Sequence, residues 1–199
     1  MGSPNPQSES GVTIAVHGGA GDPRPADQDE ARLAGLARSL EAGHEVLRTG
    51  GSALDAVVAA VQVLEADGGF NAGRGSVATA AGTVEMDAGV ADGTSRRIGA
   101  VAAVTGLEHP VAAARAVLDD GRHVFLVGDG AVDFAWAAGL AFAPASWFED
   151  RDIGDTPDPG DIGGLALGTV GAVALDARGG LAADTSTGST RGQRPGRVG

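Results

Sequence analysis

Residues 169–187, TVGAVALDARGGLAADTST, hold two short apolar runs that alternate residue by residue on either side of ARGG. Alternation sends successive side chains to opposite faces of a strand, so the two runs predict two β-strands. Pairing them as a hairpin returns the hydroxyls of Thr185, Ser186 and Thr187 to the start of the first strand, at Thr169. Only one face can point at Thr169, so Thr185 and Thr187 go together there and Ser186 points away. Thr is also an ordinary strand former and Gly an ordinary turn residue. The Gly168-Thr169 step therefore takes its meaning from the rest of the chain.

Upstream, GVTIAVH (11–17) reads as a buried strand running into the glycine-rich turn GGAGDPRP. Leu33, Leu36, Leu40 and Leu47 recur at helical spacings between Ala26 and Thr49, and Gly50-Gly51 stops that helix. Ser52 caps a second helix with Asp55 as its capping-box partner, and Val57, Val58, Val61 and Leu64 mark its apolar face. SVATA and TVEMDAGV flank Ala81-Gly82 as an expected hairpin, and IGAVAAVT (98–105) is a further strand. Pro110 opens a helix through Leu118, HVFLVG (123–128) is a strand, and GAVDFAWAAG is a weaker helix. Residues 143–168 have no period and carry three prolines, which predicts a mobile linker. Mixed helices and strands of this kind argue for an α/β or layered α+β arrangement.

The function classes that remain are few. A net charge of −12 disfavours nucleic acid and anionic membranes, both of which need clustered cations. All 14 basic residues are Arg, so P-loop, Schiff-base and Ser-Lys chemistry is excluded with the missing Lys. With no Cys there is no thiol nucleophile, disulfide or Cys-ligated zinc. The start MGSPNPQSES has no signal-peptide pattern and no apolar run is long enough to span a bilayer, so a cytoplasmic location is expected.

Other candidate sites are weak. GDGAVDFAWAAG (128–139) has Asp133 where a dinucleotide loop needs its third Gly. His17, His44, His109 and His123 have no metal-clamping spacing, and Glu85 with Asp87 fits a solvated strand face better than a carboxylate pair. Thr169 differs. If the bond before it were cut, its free α-amine, with a reference pKa of about 7.7–8.0, would serve as base for the hydroxyl on the same residue. Gly168, lacking a Cβ, tolerates the strained backbone that brings that hydroxyl onto the preceding carbonyl.

HGGAG (17–21), GGSALDAV (50–57), FNAGRGS (70–76), VEMDA (84–88), GTVGAVALD (168–176), TSTG (185–188) and PGRVG (195–199) occur in one order along the chain. This ordered set resembles the plant-type asparaginase and isoaspartyl peptidase family of N-terminal-nucleophile hydrolases. The resemblance implies an α+β fold, an αββα four-layer sandwich, and self-cleavage between Gly168 and Thr169. It implies a segment 1–168 becoming one subunit and 169–199 beginning the other. Mature Thr169 would attack the side-chain amide of asparagine or the β-aspartyl bond of an isoaspartyl dipeptide, with no organic cofactor. Thr187 then matches the second threonine that hydrogen-bonds the nucleophile, and Asn71 the residue that positions its amine. Arg197 matches the arginine gripping the substrate's α-carboxylate. Main-chain carbonyls of Leu64, Glu65, Asp67, Phe70, Ala72 and Arg74 match a loop that holds a structural sodium ion. A homodimer of cleaved pairs is also implied.

The resemblance further implies an Asp directly after Gly199 and a later Thr-Gly oxyanion hole. Neither falls within the 31 residues from Thr169 to Gly199, so the expectation is a truncated β-segment, a fold incomplete at its C-terminus and poor hydrolysis by these residues alone. Ser189 stands for a family Gly, and STRGQRPG lacks the family's Lys. Two alternatives stay open: a glycosylasparaginase-like hydrolase, and a non-catalytic remnant or binding module of the same outline.

Overall fold

In a computed structural model of the chain, residues 11–19, 29–148, 168–188, 190 and 192–198 are described. The segment 169–187 forms the expected hairpin, β5 (Val170–Leu175) and β6 (Leu181–Thr187). The remaining strands are β1 (Thr13–His17), β2 (Met86–Asp92), β3 (Arg97–Val104) and β4 (Phe125–Val127). They make one six-stranded sheet in the order β1-β5-β6-β2-β3-β4, antiparallel except where β4 runs parallel to β3. The last hairpin in sequence thus lies in the middle of the sheet, between strands contributed by the first hundred residues.

Among the described residues the α-helices are α1 (Asp29–Arg48), α2 (Ala53–Ala66), α3 (Pro110–Asp120) and α4 (Gly128–Ala137). Ser52 accepts the Asp55 N–H at the α2 N-terminus, and its own hydroxyl donates to Asp55 Oδ2 at 2.6 Å. Pro110 fills the first turn of α3, and Gly121 at φ 70° ends it two residues beyond Leu118. Val57, Val61 and Leu64 of α2 are fully buried. With Val111 and Val117 of α3 they meet Met86, Ala88, Val90 and Val101 in one core on one face of the sheet. Each of these Val, Leu and Met side chains removed from water contributes roughly 1.5–3 kcal/mol, so this face carries the fold. On the other face Val173 and Leu181 are more than half exposed. The described residues therefore supply one sheet and one helix layer.

Several expectations change. The hairpin around Ala81-Gly82 reduces to an isolated bridge between Ala78 and Val84. Its first arm instead docks a later loop, through Ala80 N–H to the Gln193 carbonyl and Gly192 N–H to the Ala78 carbonyl. Its second arm finds better ladder partners in β3 and β6. The strand expected over 123–128 keeps only Phe125–Val127, because Gly128 opens α4. Of the linker expected over 143–168, residues 145–147 form a 3₁₀ turn and Phe148 packs edge-on against Trp147 in the core. Residues 149–167 lie outside the described residues, as do positions 26–28 of the first expected helix.

Candidate active site

β5 and β6 pair with Val170 opposite Ser186 and Gly171 opposite Thr185. The same register carried one step further sets Thr169 opposite Thr187. Ser186 is fully buried and donates to Glu65 Oε1 at 2.6 Å, which fixes it on the helix side. Alternation then turns Thr185 and Thr187 to the other side, the side of Thr169. Thr185 Oγ1 donates to the Val170 carbonyl at 3.2 Å, one residue from Thr169.

Three other chain segments converge on this end of the hairpin. Asn71, 3% exposed in the loop after α2, accepts the Gly188 N–H on its main-chain carbonyl at 2.9 Å, which ties that loop to the residue after Thr187. Beyond β1, Gly19 at φ 130° passes so close to Gly168 that an added Cβ would stand 3.0 Å from the Gly168 Cα. On β2, Asp87 pairs with Thr187 in the ladder. Its Oδ1 accepts the N–H of Ala103, which sits at φ 50° in a bulge of β3, so the carboxylate holds a strained backbone position in place. Glu85 takes a different partner, the Gly196 N–H at 2.7 Å, so the two acids do separate work.

Arg197 is exposed on the loop after β6, where its Nη1 donates to Thr190 Oγ1 at 3.0 Å and Gln193 Oε1 at 3.3 Å. Those two neutral partners, in the stretch where the chain leaves the family pattern, carried no sequence signal.

The loop 64–74 offers oxygen donors. Leu64, Asp67 and Ala72 carbonyls each accept one loop N–H and keep a second lone pair. Gly73, at φ 52°, packs on the Glu65 carbonyl and Gly75 packs on the Phe70 carbonyl so tightly that a Cβ at either place would fill the cradle. The Asp67 carboxylate is engaged elsewhere, by Gly69 N–H and Arg38, each at 2.8 Å. No group of three or more His, Cys, Asp or Glu suited to a metal ion occurs among the described residues. Backbone carbonyls are the kind of oxygen donor that a hard cation takes.

Beneath the hairpin lies a polar cluster that sequence reasoning missed. Glu65, with no exposed surface, accepts the Val111 N–H at 2.9 Å on the same Oε1 that takes Ser186, and its Oε2 lies 3.2 Å from His109 Nδ1. Burial pushes its carboxyl up, against the three hydrogen bonds. Asp184, 8% exposed, accepts the Ala172 N–H on Oδ1, while its Oδ2 has no hydrogen-bond partner among the described residues. Burial raises its carboxyl to about 9, the Ala172 N–H opposing and the Glu65 carboxylate adding. A signal for Glu65 existed: it falls four residues after Val61 and eight after Val57, on the buried stripe of α2.

Comparison with known proteins bears on what this arrangement is for. The sequence profile of the family described as Asparaginase matches residues 10–158 and 150–199. The chain is 43% identical over 208 residues to the isoaspartyl peptidase of Salmonella typhimurium, covering 94% of this chain and 66% of that protein. It is 40% identical over 196 residues to the isoaspartyl peptidase/L-asparaginase of Danio rerio, covering 94% and 62% respectively. Against the human isoaspartyl peptidase/L-asparaginase it is 44% identical over 131 residues, covering 66% and 42%. The chain thus spans 66% or less of the length of each of these relatives.

Proposed function

Since this chain belongs to the asparaginase family, we propose that it supplies the threonine nucleophile of an amidohydrolase acting on L-asparagine, on β-aspartyl dipeptides, or on both. The observation that supports the reading is the strand register pairing Val170 with Ser186, which, carried one step on, brings Thr169 towards Thr187, with Ser186 drawn to the other face by Glu65.

Maturation comes first. The Thr169 hydroxyl attacks the Gly168 carbonyl carbon, the C–N bond breaks with its proton supplied to nitrogen, and an ester joins Gly168 to Thr169 Oγ. Water hydrolyses the ester, leaving a Gly168 carboxylate and a Thr169 with a free α-amine. The close passage of Gly19 over Gly168 suits this step, because backbone without side chains leaves room for the tetrahedral carbon.

In the mature site the Thr169 amine takes the hydroxyl proton while Oγ attacks the side-chain amide carbon of the substrate. The amine then returns the proton to the departing ammonia or amino acid, and water resolves the aspartyl ester. Thr187 supports the attacking hydroxyl, Asn71 orients the amine, and Arg197 grips the substrate's α-carboxylate with its planar fork. For Arg197 this requires exchange of Thr190 and Gln193 for the carboxylate, which replaces two neutral acceptors by a charged, bidentate one.

The carbonyls of Leu64, Glu65, Asp67, Phe70, Ala72 and Arg74 fit a sodium ion, which would fix the loop that carries Asn71 and take no part in bond making. A second sheet and helix layer covering the face of Val173 and Leu181 completes four layers, and two cleaved pairs form the dimer.

Ammonia release from asparagine, and amino-acid release from a β-aspartyl dipeptide, test the assignment against Thr169→Ala. Loss of both activities in the variant is expected, and turnover retained in Thr169→Ala overturns it.

A further inference from the structure

The hairpin is pinned to α2 at both ends. At its turn, the buried Asp176 accepts the Ala53 N–H on Oδ2 at 3.0 Å, at the first turn of α2, while Oδ1 accepts the N–H groups of Arg178 and Gly180. At its open end, Ser186 reaches Glu65 in the last turn of the same helix. The two elements match in length: 14 helical residues and six or seven strand residues each extend about 20 Å. One helix therefore sets the axial position of the strand pair from two points, and the second point lies between Thr185 and Thr187.

Glu65 does not hold Ser186 alone. Its carboxylate also takes the Val111 N–H and the His109 ring nitrogen, both at the start of α3. Oε1 therefore joins three elements at one buried atom. A buried carboxyl engaged by three partners is stiff, because loosening any of them leaves a buried polar atom without its hydrogen bond. Nothing in the proposed chemistry requires Glu65 or Ser186 to touch substrate, so the cluster's cost in desolvation needs another return.

We infer that Glu65 and Ser186 are positioning residues for the proposed reaction: the Ser186–Glu65 hydrogen bond, braced on the start of α3, fixes where β6 presents Thr187 to Thr169. The inference rests on the assignment of Thr169 and Thr187 made above. It concerns the side chain of Glu65 and leaves its carbonyl, and any cation held there, unchanged.

Ser186→Ala, Glu65→Ala and Glu65→Gln in the full chain test it, with the first-order rate of chain splitting read by intact mass. Ser186→Ala and Glu65→Ala slow splitting by roughly 10–100-fold, the range expected for a displacement near 1 Å at reacting atoms. Glu65→Gln recovers most of what Glu65→Ala loses, because its Oε1 still accepts from Ser186 and Val111. The double alanine variant is no slower than Glu65→Ala, since both changes cut one link. For any subsequent hydrolysis, kcat falls while KM holds. A folded Ser186→Ala chain that splits at the wild-type rate overturns the inference, and this variant carries the test if Glu65→Ala does not fold.

Amide hydrogen exchange supplies a second readout. Ser186→Ala raises exchange at Thr187 and Gly188 while β1 stays as protected as before; equal protection at 187–188 in both proteins overturns the tether. A wild-type chain that never splits overturns the assignment of Thr169, whereas the exchange result still decides the tether by itself.

Discussion

Asp184 holds its proton up to about pH 9 in the folded chain, first because it is buried, with the Glu65 carboxylate adding and the Ala172 N–H opposing. Unfolded, the same group ionises near pH 4. Between those values the folded state binds a proton that the unfolded state has released. The stability due to Asp184 is therefore complete below about pH 4 and is lost as pH rises towards 9. Asp184→Asn has no proton to lose and keeps an acceptor for Ala172. Urea unfolding from pH 5 to 9 is expected to favour the Asn variant increasingly, by at most about 1.4 kcal/mol per pH unit. A difference independent of pH contradicts a protonated Asp184. Sequence pattern alone reaches the threonines, because period two sorts Thr185 and Thr187 from Ser186 without any structure. It does not reach the Glu65 cluster, whose partners His109 and Ser186 stand 44 and 121 residues away. A carboxylate on a helix's apolar stripe gives notice of burial and nothing about who meets it.

Helix α2 is the element on which the hairpin depends. At its N-terminus Ser52 accepts the Asp55 N–H and Asp176 accepts that of Ala53, so two of the four unpaired donors are met by side chains. Burial pushes the Asp176 carboxyl up, but the N–H groups of Ala53, Gly180 and Arg178, with the charge of Arg178, outweigh it and hold it below the ordinary value. Its stabilisation is present above about pH 4 and is lost as pH falls through the lowered folded value. Asp176→Ala removes a cap and a turn anchor together, a loss of roughly 1–2 kcal/mol, read as a lower thermal midpoint at pH 7. The deficit shrinks on acidification below pH 4. A midpoint equal to wild type removes Asp176 as a pin. Elements with a strong local period, such as α2, β3 and the β5–β6 hairpin, were legible in sequence. The arm 76–80 was not, since SVATA reads as a strand while its backbone partner Gln193 lies in a loop without period.

For the whole molecule, strand order decides the fate of a chain cut before Thr169. β5 lies between β1 and β6, and β6 between β5 and β2, so the piece beginning at Thr169 is flanked on both sides by the piece that ends at Gly168. The two pieces are expected to co-elute under native conditions and to separate only in denaturant; separation without denaturant contradicts the sheet order. A layered mix of helices and strands was foreshadowed by their alternation along the chain, but the insertion of the last hairpin between β1 and β2 was not, because nothing local to 169–187 states its neighbours. The most direct measurement for the account as a whole is the intact mass of the purified chain with time, beside that of Thr169→Ala. The account predicts two masses summing to the chain plus one water, split between Gly168 and Thr169, in the wild type, and a single unchanged mass in the variant. A wild-type chain that stays whole, or a Thr169→Ala chain that divides at the same bond, contradicts it.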